Sequence, residues 1–268
     1  MPIPIPYPRM RHAIGIRATM LSAGSRVLLT LLASMLCLSA AWAAEPRVLV
    51  LNEANAPPYS NPERTGFFDV VAKEAFRRAG LEARIVTVPA GRSLLLSNSG
   101  TSDGELNRNP AVEKQYPNLI RVPEKLGDMQ FAAFSKDGSI LGNFGALRGR
   151  SIGFIRGWKI YEQALAGDKD TIAANDPDQL LRLLQLNRIE VVLYERNMGR
   201  AYLKAHAVKD VRDLDPSLFI LEEFIFLHKR HAGQVPAIAA ALRAMKRDGT
   251  YQRAHRERFL PYVGRSSR

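Results

Sequence analysis

From Arg47 to Phe259 short apolar runs alternate with helix-period segments, and this alternation limits the fold more than any other feature of the chain. It specifies an α/β protein whose sheet layers are covered by helices. Arg47 to Leu51 reads as a buried strand. Asn52 to Gly66 is rich in turn residues and carries Pro57, Pro58 and Tyr59. A helix follows from Phe67 to Ala79, in which Phe68, Val71, Ala72, Ala75 and Ala79 share one face. Gly80 stands where a left-handed helix end costs least, and Ala83 to Val88 is the next strand, which completes a βαβ unit. A shorter helix, Arg92 to Asn98, ends at Gly100, and Asp103 to Leu106 is a tight entry into the next segment.

Asp128 to Ser135 reads as an extended strand crossing out of this first series. A second series then begins: strand Ser151 to Ile155, helix Lys159 to Leu165, strand Thr171 to Ala174, helix Pro177 to Leu186, strand Ile189 to Tyr194 and helix Arg196 to Ala205. Asp176 is placed to cap its helix, Pro177 occupies the first helical position, and Leu180, Leu181 and Leu184 form the buried stripe. Glu223 to His228 is a second extended segment, and helices Val235 to Lys246 and Tyr251 to Phe259 follow it. The expected organisation is two α/β lobes joined by two hinge strands: residues 44–135 in the first lobe, 136–222 in the second, and 223–268 returning to the first.

The segment before Arg47 does not belong to this pattern. Arg9, Arg11, Arg17 and Arg26 precede an apolar run from Val27 to Ala40, and Ala41-Trp42-Ala43 follows. Basic flank, apolar stretch and A-x-A site are the parts of a secretory signal peptide, and the run is too short to span a bilayer as a helix. Cleavage after Ala43 and export to the periplasm are the expectation. The start stands open between Met1 and Met20, since the proline-rich opening is unlike a signal start and Met20 would begin one of ordinary length. The single cysteine, Cys37, lies in this leader without the small residue a lipoprotein site needs just upstream. The exported chain would be unlipidated and free of disulfides, held together by its apolar core.

The chain carries 38 basic and 26 acidic residues. Removing the four leader arginines leaves 34 against 26, a moderate excess scattered along the sequence. With export, this argues against nucleic acid as a partner.

Four stretches carry a resemblance to a known family: Pro57 to Val86 (PPYSNPERTGFFDVVAKEAFRRAGLEARIV), Leu147 to Trp158 (LRGRSIGFIRGW), Asp176 to Glu195 (DPDQLLRLLQLNRIEVVLYE) and Ala241 to Phe259 (ALRAMKRDGTYQRAHRERF). In this order and spacing the chain resembles the extracellular solute-binding proteins for polar amino acids and similar solutes. That resemblance implies a two-lobed periplasmic-binding-protein-like fold of type II closing on a small-molecule ligand. It also implies a monomer that hands its ligand to the membrane permease of an ABC transporter and has no catalytic role.

A cleft for a zwitterion or carboxylate needs a fixed cation, an acceptor for any ammonium, and an apolar wall. The resemblance places Tyr59 as an aromatic wall, with packing inside its lobe as the alternative. Arg108 lies near the position where relatives clamp the ligand carboxylate, although the threonine-containing motif expected before it is replaced by Leu106-Asn107. A solvated surface role for Arg108 stays open, and Arg92 is a second candidate. Gly157-Trp158-Lys159 opens a helix whose backbone N–H groups could receive an anion. Trp158 stands where relatives carry a small hydroxyl residue, either as a cleft wall or as lobe packing. Glu195 ends its strand where relatives hold the ligand ammonium, and as an acid at a helix start it would also be unremarkable.

Other chemistry finds little support. Gly100-Thr101-Ser102-Asp103-Gly104 matches the G-x-S-x-G elbow of hydrolases, but a helix precedes it and an extended segment follows, the reverse of what the elbow requires. His228 and His231, with Lys229 and Arg230 between them, lack further metal ligands nearby. No Walker loop, dinucleotide fingerprint or H-E-x-x-H motif occurs, and no cofactor is expected. The rival readings are a secreted dehydratase acting on a cyclohexadienyl acid on the same two lobes, with Glu105 or Glu195 as general acid, and a module that presents its ligand to a membrane sensor.

Overall fold

The structure is a computed structural model that describes residues 46–262. The leader, with Cys37, both candidate starts and the expected cleavage site, lies outside the described residues.

The first sheet is built on β1 (Arg47–Glu53), with β2 (Leu81–Thr87) and β3 (Gly104–Arg108) both parallel to it. Helices α1 (Phe67–Arg78) and α2 (Ala90–Ser99) connect them. Helix α1 buries Phe67, Phe68, Val71, Ala72, Ala75 and Phe76 against the sheet, so the apolar face read from the sequence faces the core. The chain leaves α1 through Gly80 at φ 73° and α2 through Gly100 at φ 81°, backbone that glycine adopts without a Cβ clash. Gly66, just before α1, is needed for a different reason. A Cβ there would meet the Tyr59 carbonyl oxygen at 2.4 Å, and that carbonyl accepts the Phe68 N–H at 2.9 Å.

The second sheet contains β5 (Gly127–Ser135), β6 (Ile152–Ile155), β7 (Thr171–Ala174) and β8 (Val191–Glu195). Strand β6 is parallel to both β7 and β8, while β5 is antiparallel to β8. A four-residue helix α3 (Phe144–Leu147), α4 (Lys159–Ala164), α5 (Pro177–Gln185) and α6 (Arg196–Ala205) belong to this half. Asp176 caps α5 as expected, its Oδ1 accepting the Gln179 N–H at 2.7 Å. The short strands β4 (Leu119–Arg121) and β9 (Arg212–Asp213) pair at the edges.

Strand β10 (Phe219–His228) joins the two sheets. Residues Phe219 to Glu223 pair antiparallel with β5, whereas Phe224 to His228 pair with β3 and β4. The outward passage lies directly beside it, because the Leu126 N–H donates to the Glu223 carbonyl at 2.7 Å and Gly127 opposes Glu223 in register. By strand pairing the chain therefore changes sheets at Leu126–Gly127 and Glu223–Phe224. The first change comes ahead of Ser135, and all of β5 pairs in the second sheet. Helices α7 (Val235–Arg247) and α8 (Thr250–Phe259) return to the first lobe, where Phe259 meets Phe67 with ring centroids 5.1 Å apart.

No helix among the described residues is long and apolar enough to cross a membrane. No group of His, Cys, Asp or Glu among them could hold a metal ion.

Candidate functional site

In open α/β sheets, ligands bind outside the carboxyl ends of the strands. Those ends are Glu53 with the turn after it (β1), Asn107 and Arg108 (β3), Glu195 (β8) and Gly157 to Lys159 (after β6). Two of the residues singled out from sequence touch directly across the lobes. The Tyr59 hydroxyl donates to Glu195 Oε1 at 2.9 Å, with Tyr59 1% and Glu195 0% exposed. Tyr59 reaches this position because its ring stacks on Phe68 at 4.7 Å and meets Phe259 edge-on at 5.3 Å. Its packing inside the first lobe and its interlobe contact are therefore one arrangement.

Glu195 is saturated with donors. Besides Tyr59, the Gln130 N–H of β5 donates to Oε1 at 3.0 Å, and the Met198 N–H donates to Oε2 at 2.8 Å as a helix cap for α6. Asn197 Nδ2 donates to the Tyr59 hydroxyl oxygen at 2.9 Å and closes the ring of contacts. Burial pushes the Glu195 carboxyl up to about 7 in spite of these bonds. Tyr59 is raised well above the usual phenol value, by burial first and then by the charge of Glu195.

A second buried acid, Glu223, lies at the return passage and was not singled out from the sequence. It is 4% exposed, and its Oε2 accepts from Asn107 Nδ2 at 3.0 Å. Asn107 Oδ1 in turn accepts from Asn55 Nδ2 at 2.6 Å. Burial raises Glu223 to about 7, and Glu195 and Asp128 add to the shift while Arg108 opposes it. The available signal was an acid at an inward position directly ahead of the apolar run Phe224 to Leu227, next to an outward Glu222.

The remaining candidates are apart from this ring. Arg108 Nη2 pairs with Glu105 Oε2 at 2.6 Å and donates to Ser93 Oγ at 3.1 Å, so its guanidinium is held inside the first lobe beside a fully buried carboxylate. Arg92 is exposed in the first turn of α2. Trp158 is half-buried and stacks on Tyr194 at 4.9 Å and on Tyr161 at 6.0 Å. The Gly157 N–H, expected to be open to an anion, donates to Glu162 Oε1 at 2.8 Å, a carboxylate of the same helix.

The G-x-S-x-G match joins α2 to β3, the reverse of a hydrolase elbow. Its Asp103 ties down loops: Oδ2 accepts the Val50 N–H at 2.8 Å, and Oδ1 faces Arg230 and the buried His231.

Two voids flank the Tyr59–Glu195 contact. One of about 470 Å³ has Asp128, Gln130 and Asn197 on one side and Phe67, His255 and Phe259 on the other. The other, about 500 Å³, lies between Ala56–Pro57 and the Tyr194, Met198 and Tyr202 side chains.

These features define a two-lobed α/β protein with the type II periplasmic-binding-protein fold. Solved structures of that class agree. An arginine-binding protein mutant from T. maritima covers 80% of this chain and 95% of its own, with a TM-score of 0.64 and 18% identity. A histidine kinase sensor domain with similarity to periplasmic binding proteins covers 83% and 97%, with a TM-score of 0.66 and 16% identity. The arginine-, lysine-, histidine-binding protein ArtJ from Geobacillus stearothermophilus covers 80% and 95%, with a TM-score of 0.65 and 14% identity. By sequence, an uncharacterized protein of Shewanella oneidensis is 23% identical over 210 residues, which are 73% of this chain and 78% of that protein. No model of a known protein family matches.

Proposed function

We propose that the chain is a periplasmic solute-binding protein that captures a small polar solute, an amino acid or small carboxylate, by closing its two lobes, and delivers it to an ABC-type permease without catalysing a reaction. The observation that carries this reading is the double passage at Leu126–Gly127 and Glu223–Phe224, with Tyr59 bonded to Glu195 across the lobes beside it. Two adjacent strands leave each lobe a rigid body, and a few backbone torsions absorb opening. Ligand contacts made to both lobes only when shut supply the free energy of closure.

In this reading, Tyr59 and Trp158 wall the cleft, Arg108 or Arg92 meets a carboxylate, and Glu195 takes an ammonium if one is present. Opening breaks the Tyr59–Glu195 bond and frees the acid for a ligand. The arginine-binding and ArtJ structures support a small solute. The sensor-domain relative supports a second reading in which the same closure is read by a membrane sensor.

The test is a thermal-shift screen of the chain against amino acids, dicarboxylates and polyamines, because ligands of the native state raise its melting temperature. At least one class should raise it, and the solute should be recovered unchanged. A solute converted to product over time would favour the dehydratase reading, and no shift with any class would remove the binding reading.

A further inference from the structure

The 500 Å³ groove beside Tyr194 bears on the identity of the ligand, provided that the chain is the solute-binding protein proposed above. Its volume is in the range of small-molecule sites. One wall is Ala56 and Pro57 from the turn after β1, and the facing wall is Tyr194, Met198, Ala201 and Tyr202 from β8 and α6. The groove therefore spans both lobes, as a ligand that closes them must. Its walls present carbon: three tyrosine rings, a thioether, three prolines and three alanine methyl groups.

Lys204 and His206 line the groove, and no carboxylate does so among the described residues. Lys204 Nζ donates to the Pro261 carbonyl at 2.8 Å and lies over the Tyr262 ring, 5.7 Å from its centroid, and its remaining donors can meet an anion. Asp178, outside the lining, faces His206 at 3.9 Å and accepts from the Tyr202 hydroxyl.

Two of the groups that would serve an amino-acid zwitterion, Glu195 and Arg108, lie elsewhere and have partners. Glu195 accepts from Tyr59, Gln130 and Met198, and Arg108 is tied to Glu105. An ammonium placed in this groove would meet apolar walls and a lysine, with no side-chain carboxylate to receive it, which is costly for a desolvated cation. A carboxylate on an apolar body meets the opposite situation.

We propose that the groove between Ala56–Pro57 and the α6 face binds a small monocarboxylate with an aromatic or short aliphatic body, which lies against Tyr194, Met198 and Tyr202 while its carboxylate meets Lys204.

The test is calorimetric titration of the full chain with phenylacetate and hexanoate, beside L-arginine, L-glutamate and the neutral analogue phenylacetamide. At least one of the two acids should bind one-to-one. Lys204→Gln should weaken it about tenfold, the loss of one charge-assisted hydrogen bond, while binding of phenylacetamide stays as in the parent. Met198→Trp, which fills the groove, should abolish binding of acid and amide alike; if that variant does not fold, Tyr202→Ala, at a half-buried position, should weaken both. Amino acids binding while both acids fail would overturn the proposal and leave the solute-binding reading standing. Acid binding that is unchanged in the Lys204, Met198 and Tyr202 variants would place the acid elsewhere and also overturn it. Failure of every compound here, together with failure of the thermal-shift screen, would remove both.

Discussion

Glu195 and Glu223 are two buried acids at the junction of the lobes, each raised by burial to about 7 from an ordinary value near 4.5. The folded protein therefore holds these two protons more tightly than the unfolded chain does. The resulting stabilisation is complete below about pH 4.5 and is lost as pH rises through about 7. The unfolding free energy measured in urea should fall between pH 5 and pH 8. Glu223→Gln, which keeps an oxygen for Asn107 Nδ2 and cannot ionise, should flatten this fall and raise stability at pH 8 by about 2 kcal/mol. An unchanged slope would show that Glu223 does not titrate in this range. Tyr59→Phe keeps the contacts with Phe68 and Phe259 but removes the hydroxyl shared by Glu195 and Asn197, and should cost about 1–2 kcal/mol in the same assay. The resemblance to solute-binding proteins brought Tyr59 and Glu195 forward, one in the proline-rich turn and the other at a strand end. The resemblance set them facing each other across the cleft, but their direct hydrogen bond was not legible, because residues 136 positions apart meet only through the double passage.

Among the elements, α6 shows how closely the second lobe is packed. A Cβ on Gly199 would meet the ring of Phe134, its nearest atom, on β5 at 2.2 Å, so α6 lies on the sheet with no room for a methyl. Gly199→Ala should destabilise the protein by about 1–3 kcal/mol through forced displacement of helix or ring, read as a lower urea midpoint with an unchanged slope. Asp176→Ala removes the cap of α5 and should cost about 1 kcal/mol. Helices α5 and α6 were legible from sequence because their signals are local: a capping acid with proline after it, a leucine stripe, an acid at the strand end. Strand β7 was found at its true limits for the same reason. The short β3, β4 and β9 depend on partners far along the chain, and a sequence such as Gly104-Glu105-Leu106-Asn107-Arg108 looks like a turn until β1 and β10 flank it. The resemblance singled out Arg108 as a carboxylate clamp, but its pairing with Glu105 follows from α2 bringing Ser93 over both side chains. The Gly157 N–H was likewise read as open because its capping acid, Glu162, comes from the following turn of its own helix.

For the molecule as a whole, alternating strands and helices with two crossings account for the two-lobed fold. In the proposed reading, what the lobes close upon depends on side chains from two separated stretches, the turn after β1 and the β8–α6 face. The most direct measurement is small-angle X-ray scattering of the full chain with and without the solute that gives the largest thermal shift. A smaller radius of gyration when saturated, and no such change in a variant that no longer binds it, is the expected result. A radius of gyration unchanged at saturation would contradict closure of the two lobes on a ligand.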